Sequence, residues 1–160
     1  MSSFPLNEVG AFIKSYDGNA GANAGAPSLI TAGGGLDNLK VNGQNVNRLN
    51  GTALAHSAVA ATSYLAALGA AETLSLAHEI QESANGSSYD TAEVIQAATV
   101  VATDSGAGSN MRGVSEHDVS LRARKQHFRI NVTPNMSRAN TDTCTFHTLI
   151  TLGGWTQVPQ

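Results

Sequence analysis

The chain has 160 residues, a formal net charge of −3, 13% charged residues and 41% hydrophobic ones. That length suits one domain able to bury roughly 70% of the surface its unfolded chain exposes. The acidic balance argues against a dedicated nucleic-acid binder, and no run approaches the ~18 apolar residues of a membrane-crossing helix.

Charge is well below the ~25% typical of soluble domains, which suits a surface packed against other proteins. The one cysteine, Cys144, has no partner within the chain. Residues 1–8 lack the basic and apolar regions of a secretory leader, so the expectation is a protein made in a reducing cytosol.

Residues 1–51 read as an extended, irregular arm. The stretch 17–27 is Gly, Ala and Asn with almost nothing to bury, and Gly33-Gly34-Gly35 follows. Short apolar anchors recur at Val9, Phe12 and Ile13, at Leu29 and Ile30, and at Leu36, Leu39, Val41, Val46 and Leu49, so the arm is expected to hold a few short strands, pinned to its own domain or draped over a neighbour.

Residues 52–160 read as the body. Residues 53–71 are rich in Ala and Leu, which favours helix, yet 56–64 alternate by twos. The reading is a strand through about Ser63 and a short helical turn over 65–69. Residues 73–83 place Leu74, Leu76 and Ile80 on one face, with His78 between the last two. Asn85-Gly86 marks a turn. Strands are expected over 92–103 and 113–121, with a loop at 104–110 between them.

The clearest alternation is 126–132, where Phe128, Ile130 and Val132 share one face and His127, Arg129 and Asn131 the other. Residues 132–142, with Pro134, Asn135 and Ser137, read as a connection. The last strand, 143–152, alternates through Cys144, Phe146, Ile150 and Leu152, and Gly153-Gly154-Trp155 closes it. Several strands at regular intervals with turn clusters between them predict an all-β fold, an antiparallel β-sandwich or jelly roll.

Little in this pattern carries chemistry. Cys144 and His147 look like half a metal site, but strand positions three apart face opposite ways, so no metal is expected. His117 and Asp118 are adjacent and likewise face apart, and no G-x-S-x-G nucleophile accompanies them. A Ser/His/Asp set assembled from distant residues stays open at this level. The glycine clusters lack the Lys-Ser/Thr pair and the strand-to-helix setting of a phosphate loop, so no cofactor is expected.

Six of the nine basic residues lie at Arg112, Arg122, Arg124, Lys125, Arg129 and Arg138, with only Glu116 and Asp118 as acids among them. This stretch is either a solvated face or a surface for an acidic protein partner; aromatics for base stacking are not interleaved. Trp155 reads as a packing plug or an interface anchor. The candidate contact residues are therefore Arg122, Arg124, Lys125, Arg129, Arg138 and Trp155.

Residues from about 70 to 159 resemble the capsid cement, or decoration, proteins of tailed bacteriophages. The resemblance rests on Ala71-Glu72-Thr73-Leu74-Ser75-Leu76, on 81–89 from Gln81 to Tyr89, on Arg129-Ile130-Asn131-Val132-Thr133-Pro134-Asn135, and on Thr141-Asp142-Thr143 leading to Leu152-Gly153-Gly154. It implies a jelly-roll-like body on the outside of an icosahedral head, stabilising contacts between major capsid protein subunits without catalysis. The implied partners are the major capsid protein and the chain itself, as a dimer or trimer, with no nucleic acid and no membrane. The implied location is the virion exterior, after assembly in the bacterial host cytoplasm. The rival expectation is a receptor- or carbohydrate-binding sandwich displayed on a phage particle.

Overall fold

The computed structural model describes residues 14–17, 28–31, 37–106, 108–137 and 142–155, and every regular element among them is a strand. No helix among these residues is long and apolar enough to cross a membrane. The strands are β1 (Lys14–Asp17), β2 (Ser28–Thr31), β3 (Val46–Asn47), β4 (Leu49–Asn50), β5 (Ala53–Leu68), β6 (Thr73–Ser83), β7 (Glu93–Thr103), β8 (Ser109–Ser120), β9 (His127–Met136) and β10 (Thr143–Trp155).

Two antiparallel sheets face each other. In one, β5 lies between β10 and β8, β4 extends β5, and β1 and β2 lie along the far edge of β10. The other runs β3-β9-β6-β7. Pairing β5 with β10 and β6 with β9, with β7 and β8 outside them, is the winding of a long hairpin rolled into a jelly roll.

β5 corrects the expectation of a helical turn at 65–69. The strand continues to Leu68, because β10 pairs with it from Ala55 to Ala67 and β8 from Ser57 to Leu68. Helix propensity is a weak prior, and ladders on both edges override the preference of an Ala-rich run. The buried alanines 58, 60 and 66 then serve packing, since a small side chain lets the opposite sheet approach.

β9 likewise runs further than expected, through Thr133 and Pro134 to Met136. Pro134 survives inside a strand because of where its nitrogen faces. Its carbonyl accepts from Asn38 N at 2.8 Å, on the edge away from β6, and in a strand the nitrogen of a residue points the same way as its carbonyl. No ladder bond to β6 is lost.

Residues 37–50, read as arm, are laid into the body. Val41 bridges to Val132, Val46 is fully buried opposite Phe128, and Gly43 N donates to Asn131 Oδ1 at 3.1 Å. This cover also buries Asn131, so β9 is enclosed on both faces there rather than half exposed. The short strands expected nearer the start are present as β1 and β2, both antiparallel to β10 of the same chain.

The core has two apolar clusters. One gathers Leu74, Leu76, Val132, Cys144 and Phe146; the other gathers Val46, Ile80, Phe128, Ile130, Ile150 and Leu152. Between them β5, β6 and β10 contribute Thr62, His78 and Thr148, all buried.

Candidate interaction surface

The basic stretch begins on a buried support. Leu121 is fully buried where β8 ends, and Ala123 turns the chain with a φ of 61°. Beneath this turn the Arg48 guanidinium, almost wholly enclosed, donates to main-chain carbonyls: Nε to Lys125 at 2.9 Å, Nη1 to Ala55 at 2.9 Å and to Leu121 at 2.5 Å, and Nη2 to Arg124. A guanidinium offers five donors in a fixed fork, and here they hold the β8–β9 connection to the start of β5. Burial pulls Arg48 below the usual arginine range, and the charge of Glu82 opposes that shift. Sequence reading missed Arg48 because an isolated Arg in a polar segment carries no periodic signal.

The structure pairs much of the candidate patch within the chain. Arg124 donates to Glu93 at 2.5 and 2.9 Å and to Glu82 at 2.7 Å, and Glu93 then Glu82 raise its pKa. Its fork in turn holds the Glu93 carboxyl below the usual carboxylate range. Lys125 Nζ reaches Asp90 Oδ2 at 2.5 Å. Arg129 donates to Gln81 Oε1 at 2.7 and 3.0 Å and lies over the Tyr89 ring at 4.1 Å. Glu82, Asp90 and Glu93 are distant in sequence, so the run of bases looked uncompensated. Arg122 is exposed, Trp155 is half-buried against the second core cluster, and Arg138 lies outside the described residues.

The histidines do not gather into a catalytic set. His78 and Thr62 Oγ1 are hydrogen-bonded at 3.0 Å, and Thr62 in turn to Thr148 Oγ1 at 3.0 Å. The ring of His117, from the facing sheet, sits 4.3 Å from that of His78 and bonds Ser115 Oγ at 2.9 Å. His78 Nδ1 is buried without a hydrogen-bond partner. Burial first, and His117 second, lower the His78 pKa to about 4, so the seam is neutral at ordinary pH.

Cys144 is fully buried in the core while His147 lies on the outer face beside Ser63, as strand alternation requires. Burial pushes the Cys144 thiol up to about 12. Among the described residues no group of three or more His, Cys, Asp or Glu is placed to hold a metal ion.

A shallow groove of about 470 Å³ opens at one end of the β10-β5-β8 sheet, lined by His56, Val59, Asp118, Arg122, Leu152 and Gly153. Ser57 and Ser120 also border it, yet no hydrogen bond joins either serine to His56 or His56 to Asp118 among the described residues.

The outer face of the same sheet is more distinctive. Register places Val59, Ala61, Ser63 and Leu65 of β5 beside Asp118, Glu116, Val114 and Arg112 of β8, and beside Thr151, Leu149, His147 and Thr145 of β10. Leu65 is 51% exposed, Val114 59% and Leu149 42%. The result is a broad face with apolar side chains standing among polar and charged ones, Arg112, Glu116 and Asp118 along β8. Exposed apolar side chains on three neighbouring strands make this face a candidate interaction surface.

No family model matches this chain, and no curated protein matches it. Among solved structures, the VP2 subviral particle of infectious bursal disease virus is similar with 7% identity over 88% of this chain and 32% of that chain, at a TM-score of 0.47. The T=1 particles derived from the same virus give 9%, 88%, 31% and 0.49. The CBM22-1 xylan-binding domain of Paenibacillus barcinonensis Xyn10C gives 14%, 88%, 81% and 0.41. The chain spans about a third of the length of the viral chains it matches. Likenesses at this level place it in no family.

Proposed function

We propose that this chain is a structural protein of a virus particle, a decoration protein that binds the outside of a tailed-phage head and bridges major capsid protein subunits, without catalysis. The observation that carries the reading is the outer face of the β10-β5-β8 sheet, where Leu65, Val114 and Leu149 stand exposed at successive outward positions, one on each of three neighbouring strands. A broad sheet face that mixes apolar and charged side chains offers area for a protein surface. The resemblance of residues 70–159 to phage cement proteins points the same way. Of the basic candidates, Arg122 is exposed and has no ion-pair partner among the described residues, whereas Arg124 and Lys125 are already matched by Glu82, Glu93 and Asp90.

The test is binding of the purified chain to capsids lacking it, across a salt series. Saturable binding that a Leu65→Asp, Leu149→Asp variant loses, with its thermal melt intact, supports the reading. Since both side chains stand on the outer face and about half of each is exposed, the fold should tolerate the change. Arg122→Ser should lower the association rate and its salt dependence with little effect on dissociation. Failure of the wild type to bind would sink the decoration reading. The rival, a glycan- or receptor-binding module, is favoured by the groove beside Arg122, and glycan binding abolished by Arg122→Ser would establish it.

A further inference from the structure

The two sheets end on one side in strands of very different character. β7 and β8 are each the last strand of a sheet, with β6 and β5 as their ladder partners among the described residues. The β7 ladder is broken by register shifts near Leu74/Ser75, Leu76/His78 and His78/Glu79, and at the irregularity Gln96 Nε2 and Thr99 Oγ1 fold back onto the Ala97 carbonyl. A bulged edge whose side chains occupy its own carbonyls resists addition of another strand.

β8 carries no such bulge, and the side chain that reaches one of its outer carbonyls, Arg124 Nε on Ser120 at 3.4 Å, does so at its last residue. It pairs with β5 without a shift from Ser57/Ser120 to Leu68/Ser109, and its sequence contains neither Pro nor Lys. Its outer edge therefore presents a straight row of main-chain donors and acceptors, the template on which strand addition occurs.

We infer that this edge is a seam between two copies of the chain, β8 lying antiparallel to β8 of the second copy about a two-fold axis at Val114. The order of side chains on its outward row carries the assignment. Arg112, Val114, Glu116 and Asp118 are all exposed, and among the described residues neither Arg112 nor Glu116 has an ion-pair partner. With the axis at Val114, this valine meets its own copy, each Arg112 faces a Glu116 twice over by symmetry, and Asn110 faces Asp118. A continuous sheet keeps outward rows on one side, so the neighbouring choices are axes at Arg112 or Glu116, or at the inward residues Gly113 or Ser115. An axis at Arg112 or Glu116 stacks like charges on the axis, one at Gly113 sets Arg112 against Val114, and one at Ser115 sets Glu116 against Val114. Only Val114 matches every outward pair, and cross-strand pairs are the unit of sheet stability. The seam makes one sheet of the two outer faces. It goes beyond the decoration reading and does not depend on it.

The test uses the full chain in solution. Sedimentation across a concentration series should show a dimer. Arg112→Glu and Glu116→Arg should each raise the dimer Kd about tenfold, and the double swap should restore it, because the reversed charges meet again. Val114→Cys should oxidise to a covalent dimer, while Leu65→Cys, one strand further in on the same face, should not; the native Cys144 is buried and stays out of the reaction. A monomer at every concentration overturns the inference. So does a dimer that neither charge swap weakens and Val114→Cys does not link, or one the double swap fails to rescue.

Discussion

Arg48 and His78 show how much one buried polar residue controls in this fold. The Arg48 fork satisfies carbonyls of Ala55, Leu121, Arg124 and Lys125, so replacing it by Met leaves them without that donor in a closed site. The expected loss is about 3 kcal/mol in urea unfolding. Arg48→Lys should recover only part of it, since an ammonium has no planar fork.

His78 makes stability depend on pH with a defined sign. Its pKa is about 4 in the fold against an ordinary 6.5, so the unfolded chain binds the proton first. Its contribution is complete above about pH 6.5 and falls as pH drops toward 4. Between pH 7 and pH 5 the wild type should lose about 2 kcal/mol that a His78→Leu variant does not lose. His117 is also lowered, by burial, and adds in the same direction. An equal pH dependence in both proteins would show that the seam is already open to protons.

Strands are joined here by specific close approaches as well as ladders. Tyr64 of β5 crosses over Gly113 of β8 and donates to the Val101 carbonyl of β7 at 2.6 Å, tying one sheet to the edge of the other. A Cβ on Gly113 would lie 2.4 Å from the Tyr64 hydroxyl oxygen and 2.7 Å from Cζ. Gly113→Ala should therefore push the ring off β7 and cost about 1–3 kcal/mol. Tyr64→Ala removes the obstacle, so in a double-mutant cycle the two losses should sum to more than the double mutant shows. Strict additivity would mean the glycine is dispensable.

The glycine was visible in sequence as an element boundary at 113, and that was misleading. β8 starts at Ser109, and the glycine sits within the strand because of a ring on the neighbouring one. Alternation read the faces of β6, β9 and β10 correctly at Leu74, Ile80, Phe128 and Phe146, since burial on one side imposes a period of two. It failed on the latter half of β5, where Ala and Leu satisfy helix and strand alike.

At the scale of the whole chain, the division between arm and body follows from what each segment buries. β1 and β2 pair along the outer edge of β10, whereas residues 37–50 supply Val46 to the core and Arg48 to the β8–β9 connection. Removing residues 2–35 should leave a cooperatively folding sandwich with β10 uncovered at its edge. Removing residues 2–51 should abolish cooperative unfolding. Both are read from thermal melts by circular dichroism, and a folded 52–160 fragment would contradict the architecture described above.

By itself the sequence determined the class of this protein. Alternating apolar residues separated by turn formers have few solutions other than antiparallel sheets, and the spacing alone separates Cys144 from His147. Tertiary structure decided the rest, because those features depend on residues far apart in the chain. Glu82, Asp90 and Glu93 matched the basic run across distances no local pattern records, and the two ladders on β5 overruled its helix propensity. That β7 is the bulged edge and β8 the regular one, among the described residues, was also illegible in sequence, because a register shift depends on the partner strand.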